Sequence, residues 1–353
     1  MKMDRKEFLA GAAAFASVGL RPVFSATDNP ALAASKKWFK EAQFGMMVHF
    51  GLYSMLGGEW KGRKARHTYG EWIQHSEQIP MAEYGALAKA FNPILFDPLD
   101  WMKRARDAGM KYFVITSKHH DGFALFHSKV SKYNVVDATP FKRDIVGEIA
   151  EACRTVGIKL GLYYSQDLDW SDPNGGGRLV DCNWPYGKHP WGNFWDWTDT
   201  SHYDFDKYLR EKSLPQVEEI LTQYGDLCLI WFDVPMTMNR AQSQAFVDLC
   251  RKHQPGCLVS GRIGNGLGDY ETPGDNAIAD KTDPDKLYET VGTMNDSWGY
   301  RPTDTHYRTA KDILAIREKC RAIGSNYMLN VGPDPLGRFP VAAVDILTGL
   351  AHG

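Results

Sequence analysis

Short apolar runs recur along the chain at residues 44–49, 112–117, 158–165, 227–232, 257–262 and 326–331. Each is nearly continuously apolar, a pattern that predicts parallel strands covered on both faces. Between them, hydrophobic positions return at helical spacing. Ile145, Ile149, Ala152 and Val156 form one such stripe, stopped by Gly157; Val217, Ile220, Leu221 and Tyr224 form another before Gly225. Asp97-Pro98 opens a further helix that should end at Gly109. Strands alternating with helices predict βαβ units and a parallel sheet. No G-x-G-x-x-G follows a strand, so an open nucleotide-binding sheet lacks its signature. Polar and aromatic residues instead stand at the C-terminal ends of the predicted strands: His49, His119, His120, Tyr164, Asp233 and Arg262. A (β/α)8 barrel builds its active site there, and the chain is expected to form one.

Composition adds exclusions more than assignments. With 353 residues, 43% hydrophobic and 24% charged, the chain is neither disordered nor a polytopic membrane protein. Lys and Arg total 41 against 43 for Asp and Glu, so no bulk charge draws it to nucleic acid or to anionic membrane. At the start, Lys2, Arg5 and Lys6 precede an apolar run from Phe8 to Leu20 and small residues near Ser25-Ala26. This reads as an export signal over residues 1–26, with a linker at 27–35, a barrel over 36–353 and a periplasmic or secreted destination. The six cysteines permit disulfides there, but contain no Cys-x-x-Cys.

Candidate chemistry clusters at the strand ends. Trp231 and Asp233 are two apart and share one side of a strand, which places a carboxylate beside an indole at the barrel mouth. An ionised Asp there is expensive unless hydrogen-bonded, which favours a functional role over a helix cap. His119 and His120 are adjacent, and adjacent residues on an extended chain diverge, so they do not form the His-x-His of a metal barrel. No metal and no cofactor is expected. His49, Glu59 and Trp60 add an imidazole, a carboxylate and a ring after the first strand. Rings for C–H faces, with imidazoles and carboxylates for hydroxyls, suit an uncharged polyhydroxylated ligand. Segment 166–205 lacks periodicity and holds Trp170, Trp184, Trp191, Trp195 and Trp197. Stacking on sugar and packing on itself are both open to it.

Six stretches, "FGMMVHFGLYS", "GEW", "KHHDGF", "GLYYSQDLDW", "LIWFD" and "NYMLNVGPDPLGRFP", together resemble the α-L-fucosidases of glycoside hydrolase family 29. The resemblance runs from Trp38 to about Pro340. It implies a somewhat irregular (β/α)8 TIM-like barrel, a fucosylated glycan as substrate and a retaining double displacement. By resemblance Asp233 is the nucleophile, and His49, Glu59, Trp60, His119, His120, Tyr164, Trp231 and Arg262 line the fucose pocket. Tyr163 is the alternative should the tyrosine be one off. Retention needs two carboxyl groups about 5–5.5 Å apart, the acid with a raised pKa. Glu289, in "LYETVGTMNDSWGY", is the expected acid/base and Glu271 the second candidate. "TMNDSWGY" also resembles members acting on α-1,3/1,4-linked fucose.

The chain departs from the family pattern in three places. Val234-Pro235 follows Asp233 where glycine is usual, adding a side chain able to crowd the next subsite. "TPGD" replaces Thr-Pro-Glu, which shifts a polar contact of Arg262 to Asp275. Finally, the usual C-terminal β-sandwich is not expected after the barrel. A non-catalytic sugar-binding barrel, or a hydrolase of another deoxy- or galacto-configured sugar, are the competing readings.

Overall fold

The computed structural model describes residues 29–184, 187–280 and 282–352; the expected export segment at 1–26 lies outside them. Helix α1 (Pro30–Ala42) begins inside the stretch expected to be a linker, because Asn29 caps it by accepting from Leu32 N–H and Pro30 fits its first turn. The main alternation then follows: β1 (Phe44–Val48), α2 (Pro98–Asp107), β2 (Tyr112–Lys118), α3 (Ile145–Val156), β3 (Lys159–Tyr164), α4 (Leu214–Gln223), β4 (Leu227–Phe232), α5 (Arg240–His253), β5 (Leu258–Val259), β6 (Tyr288–Thr293), α6 (Ala310–Ala322), β7 (Ser325–Val331) and α7 (Val341–Ala351). One predicted stop and one predicted start hold. Gly157 ends α3 at φ 81°, and Asp97 caps α2.

The strands form one parallel sheet in the order β6-β7-β1-β2-β3-β4-β5. Isolated parallel bridges Ser260–Tyr270, Glu271–Tyr288 and Asp275–Val291 then carry segment 270–275 between β5 and β6. That segment acts as an eighth, ragged stave and curls the sheet into an irregular barrel. No helix among the described residues is long and apolar enough to cross a membrane.

Alternation decides which side chains enter the barrel. Met47, Tyr112, Val114, Tyr163, Leu229, Trp231, Val291 and Met328 form one buried cluster, plugged from below by Phe39 and Leu32 of α1. Their strand neighbours, among them Met46, Phe113, Leu162, Ile230 and Leu329, pack outward against the helices. Gly45 is required here, since a Cβ would lie 2.4 Å from the Tyr112 ring that crosses the interior.

The sequence pattern did not reveal β6. Tyr288–Thr293 reads YETVGT, with a carboxyl, two threonines and a glycine in place of an apolar run. Burial nevertheless covers it, with Glu289 completely enclosed.

Candidate active site

The barrel mouth holds a cavity lined by Met47, His49, Glu71, Trp72, His119, Trp231, Asp233, Arg262, Asp275 and Trp298. Asp233 follows the last residue of β4, where parity turns it inward above Trp231. Three donors converge on its carboxylate: Arg262 Nη1 at 3.0 Å and Val234 N–H at 3.0 Å on Oδ1, and Tyr163 Oη–H at 2.9 Å on Oδ2. The other arm of the Arg262 guanidinium reaches Asp275 Oδ1 at 2.7 Å, so the expected shift of this contact to Asp275 is realised. One planar fork thus spans two carboxylates.

The imidazoles face the same space. Asn330 gives its amide N–H to Trp298 O at 2.8 Å, so its Oδ1 can only accept, at 2.7 Å, from His49 Nδ1–H. His49 Nε2 is left as an acceptor. Ser165 Oγ likewise gives its proton to Leu168 O and accepts from His120 Nδ1 at 2.6 Å. His120 Nε2 has no hydrogen-bond partner among the described residues and stands 3.8 Å from Asp233 Oδ2. Burial lowers all three imidazoles, His49 to about 4, and His119 and His120 well below their ordinary value. They are neutral in the working range, with lone pairs suited to sugar hydroxyls. The expected divergence of His119 and His120 fails, their ring centroids being 4.1 Å apart. β2 ends at Lys118, and both follow in a turn where strand alternation no longer applies.

Three of the expected pocket residues lie elsewhere, each for a physical reason, as does the expected acid Glu289. Tyr164 points outward and donates to Gln216 Oε1 at 2.8 Å, whereas Tyr163, one residue earlier, stacks on Trp231 and reaches Asp233. Glu59 is exposed and Trp60 half-buried, in a small hairpin (Glu59–Trp60 with Arg63–Lys64) outside the cavity. The chain carries Gly-Glu-Trp twice, and the second copy, Gly70–Trp72, forms the short helical turn that lines the cavity. Gly299 N–H anchors Glu71 Oε2 at 2.7 Å, and a Cβ on Gly299 would lie 2.9 Å from the Glu71 nitrogen.

Glu289 sits near the N-terminal start of β6, at the closed bottom of the barrel, and does not line the cavity. Its Oε1 accepts from Trp231 Nε1 at 2.9 Å and its Oε2 from Tyr112 Oη at 2.7 Å. Glu271 is also absent from the cavity. It is half-exposed and 3.5 Å from Lys286 Nζ. Neither expected acid therefore faces Asp233; Asp275 and Glu71 do. Trp72 and Trp298 were likewise not singled out in advance. The repeated Gly-Glu-Trp was the available signal for Trp72, and the stretch TMNDSWGY, noted only for its resemblance, was the signal for Trp298.

The tryptophan-rich segment packs on itself. Trp170 is fully buried against Trp72 and donates to Trp191 O at 2.8 Å, and Trp195 donates to Ile79 O at 3.0 Å. Val234 joins this cluster instead of lining the cavity. It holds φ 48°, a conformation glycine adopts freely and a β-branched residue does not, so the backbone beside Asp233 is strained. All six cysteines are unpaired thiols.

An irregular barrel whose mouth sets two carboxylates on one arginine, among neutral imidazoles and indoles, is the architecture of a glycoside hydrolase. The family model for alpha-L-fucosidase matches residues 21–352. The chain belongs to the alpha-L-fucosidase family. The alpha-L-fucosidase of Lactobacillus casei, solved unliganded, is 50% identical with a TM-score of 0.86, the match covering 90% of this chain and 97% of that one. The enzyme of Vibrio sp. strain EJY3 is 34% identical with a TM-score of 0.81, over 90% of this chain and 54% of its own. The curated tissue alpha-L-fucosidase of Rattus norvegicus is 30% identical over 342 residues, 90% of this chain and 68% of its own.

Two predictions follow from the geometry. Tyr163→Phe removes one donor from Asp233, and a hydrogen bond to a charged group is worth about 1.5–3 kcal/mol, so kcat/KM should fall about 10- to 100-fold. Tyr164→Phe should leave kcat/KM within about twofold and lower only the melting temperature. Initial rates on an aryl fucoside and thermal melts of both variants provide the check.

The second concerns pH. Burial raises Glu71 to about 8 and Glu289 to about 7, above their unfolded value, so the folded state loses stability as pH rises toward and through those values. His49, His67 and His75 are lowered to about 4, so stability is also lost as pH falls from their ordinary 6.5 toward 4. The melting temperature should therefore peak near pH 6–7, about where these two windows meet. A plateau extending to pH 9 would contradict this reading.

Proposed function

We propose that the protein hydrolyses terminal α-L-fucosides with net retention, with Asp233 as nucleophile and Asp275 as acid/base. The observation that carries this reading is the single guanidinium of Arg262 holding both carboxylates at the cavity. Asp233 Oδ attacks the anomeric carbon while Asp275 gives a proton to the glycosidic oxygen, and the aglycone leaves as an alcohol. Asp275 then takes a proton from water, whose oxygen attacks the same carbon and frees Asp233 and fucose. Asp275 is assigned over Glu71 because its side chain is 38% exposed at the mouth, on the side where an aglycone must leave. Glu71 is enclosed and anchored by Gly299. The raised Glu71 carboxyl carries its proton at neutral pH and suits a donor to a sugar hydroxyl; as the alternative acid it is separated by the variants discussed below.

The Lactobacillus casei enzyme has been solved with 4-nitrophenyl-α-L-fucopyranoside and with Fuca(1,6)GlcNAc. Fucosylated glycans are accordingly the proposed substrate class. Release of nitrophenol and of fucose from those two compounds by this protein tests the reading, and binding of fucose without release would favour a non-catalytic barrel. Export through residues 1–26 is proposed from their basic start and apolar run. The mass of protein recovered from the periplasm or medium should then lack that segment.

A further inference from the structure

Glu289 occupies a position that neither catalysis nor packing explains. It is completely buried in the lower barrel, and its two oxygens are held by two neutral donors, Tyr112 Oη–H at 2.7 Å and Trp231 Nε1–H at 2.9 Å. An apolar side chain would fill this place at less cost to folding. The carboxyl supplies what an apolar residue lacks, an acceptor that fixes the azimuth of the Trp231 indole. That indole is the floor of the cavity. Tyr163 stacks on it with ring centroids 5.5 Å apart at 16°, and the Arg262 guanidinium carbon lies 4.8 Å from its centre. Tyr163 and Arg262 are the two side chains that grip Asp233.

We infer that Glu289 is a positioning residue that sets the Trp231 ring as the plate on which Tyr163 and Arg262 align Asp233. The chain of contact is continuous: carboxyl to indole N–H, indole face to phenol and guanidinium, and these to the nucleophile. The inference rests on the hydrolase reading of the cavity. If the unmodified protein cleaves no fucoside, that reading fails first and the variants have nothing to compare.

The experiment is a kinetic cycle on an aryl α-L-fucoside. Glu289→Leu should lower kcat/KM about 10- to 100-fold, and Glu289→Gln should return it to within about threefold, because an amide oxygen still accepts from Trp231. In a Trp231→Phe background, Glu289→Leu should cost little more, since the indole N–H it serves is gone. Losses that multiply independently, a Gln variant as impaired as the Leu variant, or full activity in Glu289→Leu would each overturn the inference. Should Glu289→Leu fail to fold, Tyr112→Phe/Glu289→Leu replaces the polar pair by apolar groups of similar shape and still leaves the indole N–H without its acceptor. The same comparison with Trp231→Phe then applies.

Discussion

Asp233→Ala should lower turnover of both aryl fucosides and fucosylated glycans by about 10⁴-fold or more, with the fold intact. No other carboxylate takes its place, because the enclosed Glu71 is tied to Gly299 and Asp275 lies on the far arm of Arg262. Arg262 keeps Asp275 as a partner, so the variant is not left with a wholly unpaired buried cation, and its melting temperature should shift by only a few degrees. Added azide should restore turnover and yield β-fucosyl azide, the inverted product of direct attack in the space the carboxylate vacates. Steady-state kinetics and proton NMR of the azide product check the result. Activity within tenfold of the unmodified protein would remove Asp233 from the reaction.

Asp275→Ala carries the second large effect. General acid catalysis contributes about 10²–10⁴-fold, so cleavage of Fuc(α1,6)GlcNAc, whose leaving alcohol needs a proton, should fall by that factor. A 4-nitrophenyl fucoside should lose far less in its first step, because nitrophenolate leaves without one. Azide should accelerate the variant and give α-fucosyl azide, since it attacks the fucosyl-enzyme that Asp233 still forms. Glu71→Gln should slow both substrates alike, and Glu271→Ala should leave both unchanged, as Glu271 faces Lys286 away from the cavity. If the substrate-dependent loss and the azide product appear in Glu71→Gln instead, the acid is Glu71.

The barrel was legible because its outer layer obeys one rule. Parallel strands covered on both faces read as apolar runs, and helices began at a capping Asp97 and ended at Gly157 as their residues said they should. β6 escaped because its inward positions carry Glu289, satisfied by Trp231 and Tyr112 distant in sequence, and Thr293, whose hydroxyl reaches Asn276 and Asn295 O. Asp233 was legible from its place two residues past Trp231 at a strand end. Tyr163 against Tyr164 was not, since both belong to one aromatic pair and only strand parity, read from coordinates, distinguishes barrel interior from exterior. The two Gly-Glu-Trp copies are chemically identical. What separates them is Gly299, which reaches Glu71 across more than two hundred residues and leaves Glu59 in solvent. Asp275 was anticipated as an arginine contact and not as an acid, because its closeness to Asp233 exists only through the shared guanidinium.

The central claim is that Asp233 forms a covalent bond to the sugar it cleaves. The most direct test is incubation with 2-deoxy-2-fluoro-α-L-fucosyl fluoride, a sugar whose removal from a nucleophilic carboxylate is slow, followed by peptide mapping. One fluorofucosyl group on the peptide containing Asp233, and none in Asp233→Ala, is the expected result. An unmodified protein that nonetheless hydrolyses fucosides, or the group found on another residue, would contradict the account.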